Sequence, residues 1–107
     1  MKLRWSIAAI FALAGCGHAE AHFAPFAPAR PPTSHVEIHT TTLPAAPFAE
    51  QGLVQVLAWG NATDERTMIA ALEQEAKRRG CDAVVRVRLD EGAGEAQAIG
   101  VCVVFAR

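Results

Sequence analysis

Three cysteines and four histidines hold most of the reactive chemistry in this chain of 107 residues. Cys81 and Cys102 lie in its second half, Cys16 near its start. In an oxidising compartment two nearby thiols join as a disulfide, whereas reduced thiolates serve as metal ligands or nucleophiles. A Cys81–Cys102 bridge closes a loop of about 20 residues and adds roughly 3 kcal/mol in the chain-entropy picture. A plain hairpin centred near Ala93 sets Cys102 opposite Val85 and leaves Cys81 roughly 13 Å away, beyond disulfide reach. A different strand order or a bent helix exit closes that gap. A disulfide, two small buried thiols, and metal or redox use of the pair therefore all stand open. His35, Glu37 and His39 alternate along one face of an extended segment and are the weak metal candidates. Residues four apart on a strand are separated by about 13 Å, so one subunit offers two ligands at best, and a fuller site needs ligands pooled across subunits.

Cys16 has a different setting. Lys2 and Arg4 precede an apolar run, IAAIFAL, and the run ends in Leu13-Ala14-Gly15-Cys16. The apolar run is too short to span a bilayer as a mature helix but suits a signal peptide. The four residues LAGC resemble the lipobox of bacterial lipoproteins, in which the cysteine is acylated and becomes the new N-terminus. An ordinary secretory signal cut after Ala19 or Ala21 is the competing reading. One acyl chain holds a protein to a membrane only marginally, and a stable anchor needs more. A lipoprotein cysteine carries several chains, so by this resemblance Cys16 alone anchors the protein. By the same resemblance, as in enterobacteria-like systems, Gly17 in the next position, rather than Asp, implies release to the outer membrane, facing the periplasm.

Residues 17–34, GHAEAHFAPFAPARPPTS, are rich in alanine and proline and read as a semi-stiff tether that lifts a domain off the membrane. His18 and His22 read there as solvated side chains rather than a metal pair. The expected organisation is thus a lipoprotein signal peptide over 1–15, the lipidated Cys16 with its tether over 16–34, and one folded domain over 35–107.

Hydropathy within that domain alternates between two periods. Residues 35–42 predict a strand that buries Val36 and Ile38, and 53–60 a central strand apolar on nearly both faces. Residues 61–80 predict a helix with Asn61 or Thr63 as cap, an inward stripe of Met68, Ile69, Leu72 and Ala76, and Gly80 as its stop. Residues 82–89 and 98–107 predict two further strands joined by a glycine-bearing hairpin over 90–97. In the third strand Ala83, Val85, Val87 and Leu89 share a face. In the last, small residues line one face (Ala98, Gly100, Cys102) and bulky ones the other (Ile99, Val101, Val103, Phe105). The expected fold class is α+β, in the order β-β-α-β-β, a small sheet with one helix packed on one face. The small face admits the helix closely. The bulky face needs a cover, either the phenylalanines and prolines of the connections or another subunit, and left bare it is an interaction patch.

The runs EQGLVQV, ALEQEAKRRGCDAVVRVRL and AIGVCVVF are similar to the YbjQ-like family and the related RcsF-like lipoproteins, over roughly residues 36–106. The resemblance implies a compact β-β-α-β-β domain. For the first group it implies ring-shaped homo-oligomers and a heavy-metal-binding label. For the second it implies an outer-membrane lipoprotein that reports envelope stress. Two family alanines are Cys81 and Cys102 here, and the four-cysteine pattern of the RcsF-like proteins is absent.

The composition narrows function further. From Pro44 onward there is no serine, histidine or tyrosine, and no glycine-rich loop joins a strand to a helix. The expectation is therefore no enzyme and no cofactor. After position 15, eight basic and eleven acidic residues remain, a surface unsuited to nucleic acid. Lys77-Arg78-Arg79 sits where a helix C-terminus favours positive charge. The expected function is a non-enzymatic, membrane-anchored bacterial envelope lipoprotein that serves protein interaction, a structural role or envelope-stress sensing. Its partners are the membrane, through Cys16, an envelope protein, and a homo-oligomer. A metal-binding domain acting as an oligomer is the alternative.

Overall fold

A computed structural model describes residues 17–106. The signal peptide expected over 1–15 and the lipidation expected at Cys16 lie outside the described residues. Five strands form one mixed sheet: β1 (Gly17–Pro25), β2 (Glu37–Ile38), β3 (Phe48–Gly60), β4 (Ala83–Gly92) and β5 (Glu95–Phe105), in the spatial order β1-β3-β5-β4-β2. One helix, α1 (Glu65–Arg78), packs on one face. The fold is α+β with one helix on a small sheet, as the patterning predicts, but with a strand more.

That strand lies where the tether was expected. Residues 17–25 pair antiparallel with β3 without a break, from Gly17↔Gly60 to Pro25↔Gly52. Their alternation is period-two: Ala19 and Phe23 pack on the helix-side core, while His18, Glu20 and His22 are exposed. The prolines that suggest a tether lie at the end of this strand and beyond it. Residues 26–36 then dock back across the end of α1. The Gln51 amide donates to the Pro28 carbonyl (2.6 Å), the Thr33 N–H to the Lys77 carbonyl (2.9 Å) and the Thr33 hydroxyl to the Cys81 carbonyl (2.6 Å). The domain thus starts at residue 17 rather than 35. The strand expected over 35–42 shrinks to Glu37–Ile38, a short parallel edge on β4.

The helix cap lies beyond both expected positions, one residue after Thr63 and three after Asn61. Asp64 is the N-cap, and its carboxylate accepts the Thr67 hydroxyl (2.7 Å) and the Thr67 N–H (3.0 Å). These hydrogen bonds, the hydroxyl's foremost, hold the Asp64 carboxyl below its ordinary pKa. A depressed carboxyl pKa contributes stability above the unfolded-state value and loses it as pH falls through the folded-state value. Asp64→Ala is therefore expected to lower the thermal midpoint at neutral pH. The deficit narrows as the medium is acidified below the ordinary aspartate range, which thermal melts stepped down from neutral pH check.

At its other end the helix closes in a Schellman motif. Gly80 adopts φ 79° and donates to the Lys77 carbonyl (3.2 Å), and Cys81 donates to the Ala76 carbonyl (3.0 Å). This motif turns the residue after the glycine inward against the last helical turn. It delivers Cys81 into the layer between helix and sheet, fully buried beside Ala76. From β5 the alternation sends Ala96, Ala98, Gly100 and Cys102 into the same layer, facing Met68 and Leu72.

A bulge in β4 overturns the face expected there. Val85 pairs with Val101 and Arg88 with Ile99, so Arg86 and Val87 together oppose Gly100. Arg86 has φ 54°, a left-handed conformation that admits the extra residue. One extra residue inverts every following side chain. Val84, Val87 and Leu89 therefore join the helix-side core, while Ala83 and Val85 face the other way with Val103.

Candidate functional site

The helix-free face of the sheet is built by alternation alone. From β3 it receives Leu53, Gln55, Leu57 and Trp59, because Val54, Val56 and Ala58 point to the helix. From β5 it receives Gln97, Ile99, Val101, Val103 and Phe105 by the same parity. One end of this face is closed. Phe48, at the start of β3 and paired with Phe105, packs with Val101 and Phe105 over Ala83, Val85 and Val103. An ion pair flanks that cover, from Arg86 on the β4 bulge to Glu50 (3.7 Å). The phenylalanine of the 43–52 connection thus supplies part of the expected cover. The hydrogen bonds of the 26–36 segment lie instead at the helix end and the start of β3.

The rest of the face is half-exposed: Leu53, Leu57, Trp59 and Ile99. Polar groups rim and order this apolar stretch. The Gln55 amide donates to Gln97 Oε1 (2.9 Å) across the two central strands. The His18 ring stacks on Trp59, with centroids 5.6 Å apart and planes 19° from parallel. Glu20 stands between two imidazoles, 3.5 Å from His18 and 3.4 Å from His22. Two depressions open here. One of about 170 Å³ lies between β1, β3 and β5 beside His22, Leu53 and Ile99, and one of about 470 Å³ lies at the hairpin end beside Leu57, Trp59 and Glu95. Neither brings together a nucleophile with a base among its lining residues.

The residues singled out from sequence fall in separate places. Cys81 and Cys102 are joined as a disulfide, with Cα atoms 5.5 Å apart, both fully buried. The plain-hairpin distance does not apply, because Cys81 is outside the strand ladder and folds under β5 from the helix exit. As a bridged pair neither sulfur is a thiolate ligand. Glu37 and His39 meet at 2.8 Å, and His35 lines another depression together with Glu37, Asp82 and Phe105. Among the described residues no three His, Cys, Asp or Glu side chains are grouped to hold a metal ion.

Sequence reading missed the buried polar side chains. Glu75 is 3% exposed and accepts from Arg79 Nε (2.8 Å), with Arg78 at 3.5 Å. The Arg79 guanidinium in turn lies 5.1 Å over the Phe23 ring, tying β1 to α1. The i,i+4 spacing of Glu75 and Arg79 carries that signal. Asp82 accepts the Phe105 N–H (2.8 Å) and fixes the end of β5, a contact between residues 23 apart that no local pattern announces. No family model, curated protein or solved structure matches this chain.

Proposed function

We propose that this chain is a non-enzymatic bacterial envelope lipoprotein, acylated at Cys16, whose domain docks on a protein partner through the helix-free face of its sheet. The observation that carries the reading is the LAGC sequence ending at Cys16 behind a basic start and a short apolar run. The buried Cys81–Cys102 bridge supports it, because such bonds persist in exported proteins and are rare in a reducing cytosol. The half-exposed Leu53, Leu57, Trp59 and Ile99, ringed by hydrogen-bonding side chains, supply the apolar centre and polar rim of a contact surface. A relation to the YbjQ-like and RcsF-like domains belongs to the same proposal and rests on the sequence runs given above.

The anchor's setting differs from the one expected. β1 begins at Gly17, the residue after Cys16, so a lipid on Cys16 attaches directly to the sheet with no tether between. The test is metabolic labelling of the full-length chain with a clickable fatty acid in a bacterial host, followed by membrane fractionation. The wild type is expected to label and to sediment with membranes. Cys16→Ser is expected to lose the label and move to the soluble fraction. An unlabelled wild type, or a variant that still labels, overturns the reading.

A further inference from the structure

The two edges of this sheet are treated differently. β2, at one edge, has two residues, too short to recruit another strand. β1, at the other, has nine and is exposed along most of its length. It carries no lysine or arginine, no bulge in its pairing with β3, and no proline before its last residue. What blunts this edge is limited to one charge, Glu20, and the terminal Pro25.

The hydrogen-bonding parity of the edge follows from one bond. Phe26 donates its N–H to the Gln51 carbonyl (2.9 Å), continuing the register of β1 on β3. In an antiparallel ladder such bonded positions alternate. Ala24, His22, Glu20 and His18 therefore spend their backbone groups on β3. Gly17, Ala19, Ala21 and Phe23 present theirs outward.

The geometry points to a second copy of this chain as the occupant of that edge, paired antiparallel β1 to β1 about a two-fold axis at Ala21. In this register Ala21 opposes Ala21, Ala19 opposes Phe23, and Gly17 opposes Pro25. Every outward N–H and C=O between these residues meets a partner, except where Pro25 has no N–H to give. On the helix-free face Glu20 falls opposite His22 of the other copy, and His22 opposite its Glu20. These are non-hydrogen-bonded positions, where opposing side chains come closest. On the helix side the large Phe23 meets the small Ala19. The Phe23 ring leans inward: a Cβ on Gly52 would lie 2.5 Å from its Cζ, which keeps the edge itself unobstructed. Shifting the axis to Glu20 sets glutamate against glutamate, which disfavours that register. The pairing is isologous and closes after two copies. It stands on β1 alone, whether or not Cys16 carries lipid.

Cysteine crosslinking of the full-length chain under a mild oxidant, in whichever fraction it is found, tests it. Ala21→Cys is expected to give a reducible species of twice the chain mass, well above the wild-type background. Ala19→Cys is expected to stay at background, because the two copies of residue 19 lie about 14 Å apart along the seam. Adding Glu20→Lys to Ala21→Cys is expected to lower the crosslinked fraction, since both cross-strand pairs lose the carboxylate that the His22 imidazole faces. Exchanging the pair by Glu20→His with His22→Glu is expected to retain it. Ala21→Pro removes an outward N–H and no bond to β3, so it is expected to abolish the dimer in sedimentation of the detergent-solubilised chain with the far-UV spectrum unchanged. Equal crosslinking at 19 and 21, an adduct of any other mass, or no dimer with Ala21→Cys overturns the pairing.

Discussion

Replacing Cys81 and Cys102 together by alanine is expected to lower the unfolding free energy by about 3 kcal/mol, the chain-entropy value for a loop of this size. The two residues are 21 apart in sequence, and the bridge ties the helix exit to the middle of β5. Without it the helix-side layer relies on Met68, Leu72, Ala76 and the small residues of β5, a thin core for a domain of this size. Reductant added to the wild type is expected to produce a similar loss, and to leave the alanine variant unchanged. Urea unfolding of both chains with and without reductant measures it. A wild-type midpoint indifferent to reductant would sink the structural role assigned to the bridge.

The second large effect is at Gly100. A Cβ there would lie 2.5 Å from Val84 Cγ1, 3.0 Å from Val87 Cγ2 and 3.3 Å from the Val85 carbonyl. All three neighbours belong to the β4 bulge and its flanks, so the missing side chain is what admits the extra residue. Gly100→Ala is expected to cost about 1–3 kcal/mol, the usual range for overpacking a filled core. Gly100→Val is expected to cost more and to push the bulge outward, disturbing the Arg86–Glu50 pair on the opposite face. Combining Gly100→Ala with Val84→Ala is expected to recover part of the loss, because the two positions share the same space. Denaturant midpoints of the two single variants and the double variant give the coupling, and strict additivity would count against the contact.

The elements with bulky alternation were legible in the sequence. Val54, Val56 and Ala58 against Leu53, Leu57 and Trp59 mark β3, and Met68, Leu72 and Ala76 mark the helix stripe. β1 was not, although His18, Glu20 and His22 alternate with alanines. Of its inward positions only Phe23 is bulky, Ala19 and Ala21 being small, so the alternation carries little hydropathy contrast, and the following prolines dominate the reading. The β4 faces were misassigned for a different reason. A bulge leaves no mark in composition, and Arg86 is an unusual residue for a left-handed position. The helix exit hid the disulfide geometry, since a register argument assumes both cysteines belong to the ladder and Cys81 precedes it. The helix stop at Gly80 was legible, and its motif is what places Cys81. Of the candidate contact face, the apolar β3 and β5 residues were visible as a surface needing cover. The His18–Trp59 stack was not, because it depends on β1 being a strand.

Under the proposed acylation of Cys16, the start of β1 at Gly17 restricts how a membrane meets this domain. In a pair joined about Ala21 the two Gly17 residues lie about 27 Å apart, at opposite ends of the seam. The two-fold axis of such a pair runs through the sheet along its normal. Two anchors related by that axis enter one leaflet only when the axis is perpendicular to the bilayer, and the joined sheets then lie parallel to it. One broad face is turned to the headgroups and the other to the aqueous side. A lone copy, held by a single corner, is under no such restriction and is free to swing. Pairing would thereby convert a hinge into a platform, and fix which face of the sheet a soluble partner reaches.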